Sequence, residues 1–569
     1  MTITRLALFA SVILGAVLSI SSANLLPAPV ANPLPGLVIL SGTVTTAKPF
    51  KAAQVFARNT DKNILYMVYT SGGRYRAVNL FPGNYDVSVQ KLGFTSEVKR
   101  IVVKANANAT ADFTLKESDP ETVRKNLYSG AKSIKEDVQL ASFDELYPPG
   151  PGREMLLNTC VYCHGPSYFP MLRRNEAGWN SAVNNMTSPN GTVGAIAGKD
   201  KISPENRAQL VAYLTRNFGP DSTKRALRLD IEIPLDEAAL SNAMYVEYYL
   251  PLDPKLDADN PQRRGQDPHF DNNGNVWYTD RSIPNRIGKL DPRSGSMTDY
   301  VTPNPKGGLH GITVDKNGQV WFNETTGMNL GRFDPKTAEF TRYAVDSKKE
   351  IKEHAEGHTP VVDSQQNVWF TVINGTKLGK WDRKTEKITL WDPPTPNSFP
   401  YGIVVDKNDK IWFAEFTGCK VVKFDPATQK FTEYTPPTKP CLIRRLGIDS
   451  KGTVWFGEFS SGKVGKLDPA TGNITEYSLP VPYGQPYDTW PDHQDNIWIG
   501  DGGQVGTLIK FDPRTEKFTY FPSPQRTDMP KLEITRENAI WYCPRSSDNG
   551  AVGVLYPDVK QITTMAAYY

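Results

Sequence analysis

Scarcity narrows this chain before any motif does. Its 569 residues include only five cysteines and six histidines, and the formal net charge is a mere +4. Because the basic residues are spread along the chain and do not gather in one stretch, this balance argues against a nucleic-acid-binding protein. Long apolar runs are missing as well. The N-terminal run Leu6–Ile20 is shorter than the ~20 residues a membrane-spanning helix needs, and no later segment is apolar enough to span. Helical periodicity is confined to one stretch around residue 160. What is plentiful is turn and sheet material: 44 Gly, 45 Pro, 25 Tyr, 24 Phe and 11 Trp. That composition predicts a turn-rich, mainly β protein, and the length predicts about three or four domains, since one core stops growing well before this size.

Residues 1–23 read as a secretory signal peptide. Arg5 precedes the apolar run, and Ser21 and Ala23 occupy the small-residue positions of a cleavage site. No cysteine follows that site, which speaks against a lipid anchor. The expectation is a periplasmic or secreted protein with no membrane span after cleavage.

Cys160-Val161-Tyr162-Cys163-His164 has the spacing by which a c-type haem is attached: two thiols add across the vinyl groups, and the adjacent imidazole becomes the proximal iron ligand. A zinc or thioredoxin-like reading would need a second Cys/His pair or a redox βαβ unit nearby. Neither is present, since Cys419, Cys441 and Cys543 lie more than 250 residues downstream. The haem module is expected over residues 148–222. One helix, Arg153 to Cys163, presents the motif, and a second starts at Pro204 after Ser203 and runs to Asn217 with Leu210, Val211, Tyr213 and Leu214 on its apolar face. Between them, Trp179, Val183 and Met186 share one helical face, making Met186 the expected distal iron ligand, with Met171 the alternative. The crossed pair of helices resembles class I cytochromes c. A covalently attached haem c implies a redox partner protein or a small-molecule electron donor or acceptor.

Residues 36–117 alternate apolar and polar in short runs separated by turns such as Gly72-Gly73 and Pro82-Gly83, the pattern of a small antiparallel β-sandwich. The order SGTV, then GRYRAVNL, then PGNYDVSV and GF resembles the carboxypeptidase regulatory-like domain, which implies a carbohydrate- or partner-binding role there. Residues 118–147, charged and closed by Pro148-Pro149-Gly150-Pro151-Gly152, read as a linker.

From about residue 240 to 569 the chain repeats. Trp277, Trp321, Trp369, Trp412, Trp455, Trp498 and Trp541 follow one another at 44, 48, 43, 43, 43 and 43 residues. Each unit reads roughly GI.VD..G.VWF.E, then VGK.DP.T..FTEY, so four strands per unit make seven propeller blades. Met244–Leu250 is expected to close the ring by completing the last blade. The fold class is thus mainly β: a seven-bladed β-propeller with a small all-α cytochrome c domain and an N-terminal β-sandwich.

Propeller register assigns a site. Eleven residues before the tryptophans stand Gln266, His310, His358, Tyr401, Arg444 and Tyr487, with Lys531 in the shortened last unit; three after them stand Asp280, Glu324, Val372, Glu415, Glu458, Asp501 and Pro544. Both sets belong at one mouth of the central channel. The acidic positions recur in five of seven blades, which favours turn capping over chemistry. The repeat resembles the streptogramin (virginiamycin B) lyase family, in which a His in one blade and Glu-x-His with a further Glu in the next bind Mg²⁺ and break a C–O bond by elimination. Here Leu309-His310-Gly311-Ile312-Thr313 and Glu356-Gly357-His358 supply three of the four positions, so the resemblance implies catalytic roles for His310, Glu356 and His358. The fourth is Val372, leaving Glu324 as the carboxylate that could reach Mg²⁺. Cys419 and Cys441 fall in loops on one face and are expected to pair, leaving Cys543 as a buried thiol. Elimination has no use for iron, so the leading expectation is an exported haem-linked oxidoreductase or electron-transfer protein whose propeller binds substrate or partner. A Mg²⁺-dependent lyase with an appended cytochrome and a non-enzymatic binding module are the alternatives.

Overall fold

The computed structural model describes residues 33–120, 138–161, 168–187, 202–228, 233–252, 263–349, 351, 355–502, 506–525, 527–544 and 550–569. Strands dominate it, and seven sheets close into a propeller. The inner strands Gly265–Phe270, Leu309–Val314, Gly357–Val362, Pro400–Val405, Ile443–Ile448, Pro486–Pro491 and Leu532–Ile534 each touch the next, and the last touches the first. Blades 1 to 6 are sequential four-stranded antiparallel sheets.

The repeat motifs have local physical reasons. In blades 1 to 6 an aspartate ends the inner strand: in blade 3, Asp363 Oδ1 accepts the N–H groups of Gln365 and Asn367, while its Oδ2 accepts Trp369 Nε1. The same Asp–Trp bond recurs at 2.9–3.1 Å from Trp277 to Trp498. One side chain therefore caps the hairpin and satisfies a buried indole. The glycine of the third strand lets the second-strand aromatic lie flat across it. A Cβ on Gly331 would sit 2.3 Å from the Phe322 ring.

Met244–Tyr249 pairs antiparallel with Ala551–Tyr556 and completes blade 7, as expected. Its other edge pairs with Ile64–Tyr69 of the N-terminal sandwich, so blade 7 and the sandwich share one continuous sheet. Both strands, MYVEYY and ILYMVY, are buried along their whole length. Apart from Glu247, which is hydrogen-bonded by Gln525 and Tyr542, their apolar character is what a strand covered on both faces requires. The sandwich packs this sheet against Val38–Thr45 and Arg74–Leu80 around Leu40, Val55, Tyr66 and Val87.

The helical module is not all-α and begins before residue 148. Val138–Ala141 pairs in parallel with Lys224–Leu227, and Phe143–Leu146 is a short helix with a Ser142/Glu145 capping box, so the described part of the expected linker, 138–147, belongs to the module. Four-residue strands without alternation leave no periodic signal. The expected helix from Arg153 is α-helical to Met155 and continues as a π-helix over Leu156–Val161. Pro204–Asn217 starts as anticipated, with Ser203 accepting from Asn206 N–H, and packs against Glu176–Thr187. Leu146, Tyr147, Leu156, Trp179, Leu210, Tyr213 and Phe218 form one core, continuous with propeller residues including Leu479 and Val481. Phe143 stacks on Tyr483 at 5.8 Å and 7°. Among the described residues, no helix is long and apolar enough to cross a membrane.

Candidate functional site

The mouth is built from the first residues of the inner strands, held by their neighbours. Thr279 and Thr371 each donate at 2.6 Å to a main-chain carbonyl of the next blade, that of His310 and that of Tyr401. With the backbone pinned, His310 and His358 meet ring to ring at 3.8 Å, and His358 meets Tyr401 at 3.9 Å. Both histidines are buried, and Thr359 Oγ1 lies 2.8 Å from His358 Nδ1. Burial holds the His358 imidazole well below its ordinary range, reinforced by the Arg445, Arg281 and Arg444 guanidiniums. It is therefore neutral and serves as a hydrogen-bonding group, not a cation.

Arg444 occupies the opposite side of the mouth. Its Nη1 donates to Tyr401 Oη at 2.8 Å and Tyr487 Oη at 3.0 Å, and the two phenols lie 2.6 Å apart. The guanidinium sits over the rings of Phe459 at 4.1 Å and Tyr487 at 4.4 Å, with Phe416 at 4.7 Å and Tyr401 at 5.3 Å. Such a cage stabilises a buried cation electrostatically against π faces. One residue deeper, Arg445 spans the ring to Asp267 at 2.9 Å. Lys531 pairs with Glu533 at 2.7 Å and donates to the carbonyls of Pro268 and Ile312. Burial pushes Asp488 up to about 6. The Arg444/Arg445 pair, Asp267 and the Phe416/Phe459 rings lie outside the sequence-assigned set except for Arg444. Two adjacent arginines in the buried strand IRRLGI are the signal that could have found them.

The second set behaves differently. Asp280 is buried against Arg263 and Ser282, Glu324 accepts from Arg342 Nη2 at 2.7 Å and Nε at 3.0 Å, and Asp501 accepts from Gln485 N–H at 2.7 Å. Glu415 and Glu458 bond Ser398 and Ser461, and burial pushes both up to about 7. These carboxyls tie down their own blades. Mg²⁺ prefers an oxygen-rich, octahedral set, and the mouth does not offer it. Val372 is fully buried where a carboxylate would be needed, Glu324 pairs with Arg342 through its Oε2, and guanidiniums flank the histidines. Glu356 is half-buried one residue before the Gly357–Val362 strand, and among the described residues no group of three His, Cys, Asp or Glu is placed to hold a metal ion.

In the helical module, Cys160 lies half-buried at the end of the Leu156–Val161 turn, packed against the apolar core. Cys163 and His164 lie outside the described residues. Trp179 and Val183 are buried on the Glu176–Thr187 helix, and Met186, half-buried, shares that helix; Met171 ends the short Phe169–Met171 turn. In the sequence, two thiols, an imidazole and a thioether are a donor set whose chemistry fits haem c, and of these Cys160 lies beside the apolar core. Elsewhere, Cys419 and Cys441 form a disulfide with Cα atoms 5.6 Å apart, and Cys543 is a buried free thiol.

Residues 259–511 match the virginiamycin B lyase family, and residues 39–116 match the carboxypeptidase regulatory-like domain. The virginiamycin B lyase of Bacillus licheniformis is 49% identical over 35 residues, which span 6% of this chain and 12% of that protein's length. Among solved structures, a streptogramin B lyase shares 21% identity over 55% of this chain and 98% of its own, with a TM-score of 0.49. The virginiamycin B lyase from Staphylococcus aureus shares 20% over 51% and 94%, with a TM-score of 0.47.

Proposed function

We propose that this chain is an exported c-type haem protein that exchanges electrons with a redox partner protein or a small-molecule donor or acceptor, the propeller mouth serving as the binding face. The observation that carries it is the Cys160–His164 motif, whose first thiol lies at the end of a helical turn against an apolar core. A bound haem would supply a one-electron centre whose potential is tuned by its axial ligands and by burial. The chain's own part is to hold and shield that group. Cys160 and Cys163 would anchor it, His164 and Met186 would ligate its iron, and Trp179, Val183, Leu210 and Leu214, all buried, keep water from the core. Docking supports a link with the mouth: Phe143 rests on Tyr483, four residues before Tyr487 in the segment that leads into the sixth inner strand. The signal-peptide pattern of residues 1–23 supports export to a compartment where c-type haems are attached.

The test is an absorption spectrum of the exported protein, oxidised and reduced, after denaturing removal of any non-covalent pigment, followed by a screen for compounds that reduce it. Covalent haem reduced by a small molecule supports the oxidoreductase form, and covalent haem reduced only by a partner protein supports the electron-transfer form. A colourless protein from a host competent in haem attachment overturns both. A second reading, a C–O lyase with an appended haem module, draws on the family match of residues 259–511 and the His310–His358 pair. It fails if the protein with added Mg²⁺ leaves a streptogramin B antibiotic intact.

A further inference from the structure

The propeller repeats one arrangement in five blades and abandons it in the sixth. In blades 1 to 5 the tryptophan is covered by a cation from the facing position of the third strand: Lys289 over Trp277, Arg332 over Trp321, Lys380 over Trp369, Lys423 over Trp412 and Lys466 over Trp455, at 5.4–5.8 Å. Lys510 faces Trp498 in the same register. Among the described residues, however, its ammonium has no ring contact, hydrogen bond or ion pair, and a cavity of about 270 Å³ opens where the cover would be. The cavity lies at the ends of the inner strands away from the mouth, where the Asp492 hairpin of blade 6 meets Asn538 of blade 7.

Its lining specifies a chemistry. Trp498 and Phe521, packed on each other at 5.2 Å, close its base and are only 1% and 2% exposed, so neither offers an open ring face. Gln494, Asn538 and Gln561 bring carboxamides to the walls, and Asn538 keeps its Nδ2 available because only its Oδ1 is used, by His493 N–H. Asp558 accepts Lys560 N–H through one oxygen and leaves the other. Asp492 also borders the space, but its carboxylate is saturated by its own hairpin and by Trp498 Nε1. Lys510 and Asp558 offer one charge of each sign, so no net charge is demanded of a ligand. Carboxamides both donate and accept, and the groups that answer them in kind are hydroxyls. The volume is at the lower end of small-molecule sites, which run from about 300 Å³.

We propose that this cavity binds a neutral polyol the size of one sugar ring, its hydroxyls on Lys510, Gln494, Asn538, Gln561 and Asp558. The proposal does not depend on the haem reading. It is tested on the full-length mature protein by saturation-transfer NMR and calorimetry with D-glucose, D-galactose and D-mannose, and with glycine as a zwitterionic counter-probe. At least one sugar should bind saturably, with a Kd on the order of 1 mM. Lys510→Met and Gln561→Leu should each weaken it roughly fivefold or more, the value of a hydrogen bond. Lys466→Met, which removes the cation over Trp455 in the neighbouring blade, should leave binding unchanged. Both cavity variants remove side chains that no described contact needs, so their melting temperatures should match the parent. Saturation by none of the three sugars, binding that survives both cavity variants, or binding of glycine in place of the sugars overturns the proposal.

Discussion

Glu247 lies on the strand that closes the propeller ring and joins it to the sandwich. Its carboxyl is fully buried, receiving Gln525 Nε2 at 2.8 Å and Tyr542 Oη at 3.0 Å. Burial is the largest influence and pushes the carboxyl up from 4.5 to about 7, hydrogen bonds with Gln525, Tyr542 and Tyr249 only partly opposing it. The sign of the consequence follows from which state holds the proton. Below pH 4.5 the group is neutral in folded and unfolded chain alike, and its contribution is fully present. Between 4.5 and about 7 the unfolded chain gives up the proton while the folded one keeps it, so stability falls as pH rises. Above about 7 both are ionised and the loss is complete. At ~1.36 kcal/mol per pH unit, the loss over that window sums to about 3 kcal/mol. Glu247→Gln keeps the shape and hydrogen bonding of the neutral acid but has no proton to release. Urea denaturation of parent and variant at half-unit steps from pH 4.5 to 7.5 should show the variant gaining on the parent by about that amount across the range. A difference between the two that stays flat with pH would refute the assignment of Glu247 as a buried neutral acid at the seam.

Asp363→Ala should cost about 1–3 kcal/mol, because it strands the buried Trp369 N–H together with two turn N–H groups, and thermal unfolding will read it. Trp541, which has Thr535 at the equivalent position and no such partner among the described residues, provides the internal comparison. Replacing Cys419 and Cys441 by serine opens a loop of 22 residues and should remove about 3 kcal/mol, seen as a lower denaturation midpoint that reductant no longer shifts. Arg444→Met should raise the His358 pKa, since it withdraws a nearby cation. The value should nevertheless stay below the ordinary imidazole range, because burial is the larger cause, and an NMR titration showing no rise would count against the mouth geometry. A double-mutant cycle of Phe143→Ala and Tyr483→Ala should return a coupling of about 0.5–1.5 kcal/mol, and a coupling near zero would mean the helical module is not docked through this pair.

Much of the architecture is written locally and could be read without coordinates. Blade number follows from the tryptophan spacing, because every unit carries its own hairpin cap in the Asp–Trp bond. Ring closure by Met244–Tyr249 follows because a three-stranded final unit needs a fourth strand from elsewhere in the chain. The second helix of the haem-motif module was legible for the same reason, with Ser203 and Pro204 stating its start. Chemistry at a mouth position could be named from register alone. The charge partner of each side chain could not. Glu324 and His310 belong by spacing to the same rim, yet Glu324 meets Arg342 on its own outer strand while His310 meets His358 in the next blade. Period and register say where a Cβ stands; which neighbour a long side chain reaches depends on the packing of several strands at once.

The Cys-x-x-Cys-His spacing at 160–164, the seven repeats and the sandwich strands are properties of short windows, so the linear sequence by itself determined them. Only the tertiary structure decided that sandwich and propeller share one sheet, that residues 138–147 belong to the helical module, that Phe143 seats that module on Tyr483, and that Lys510 borders a cavity instead of lying over its tryptophan. Each of these is a contact between segments far apart in the chain. Such contacts form when buried faces and edges find partners of matching shape, and no local periodicity encodes which partner that will be.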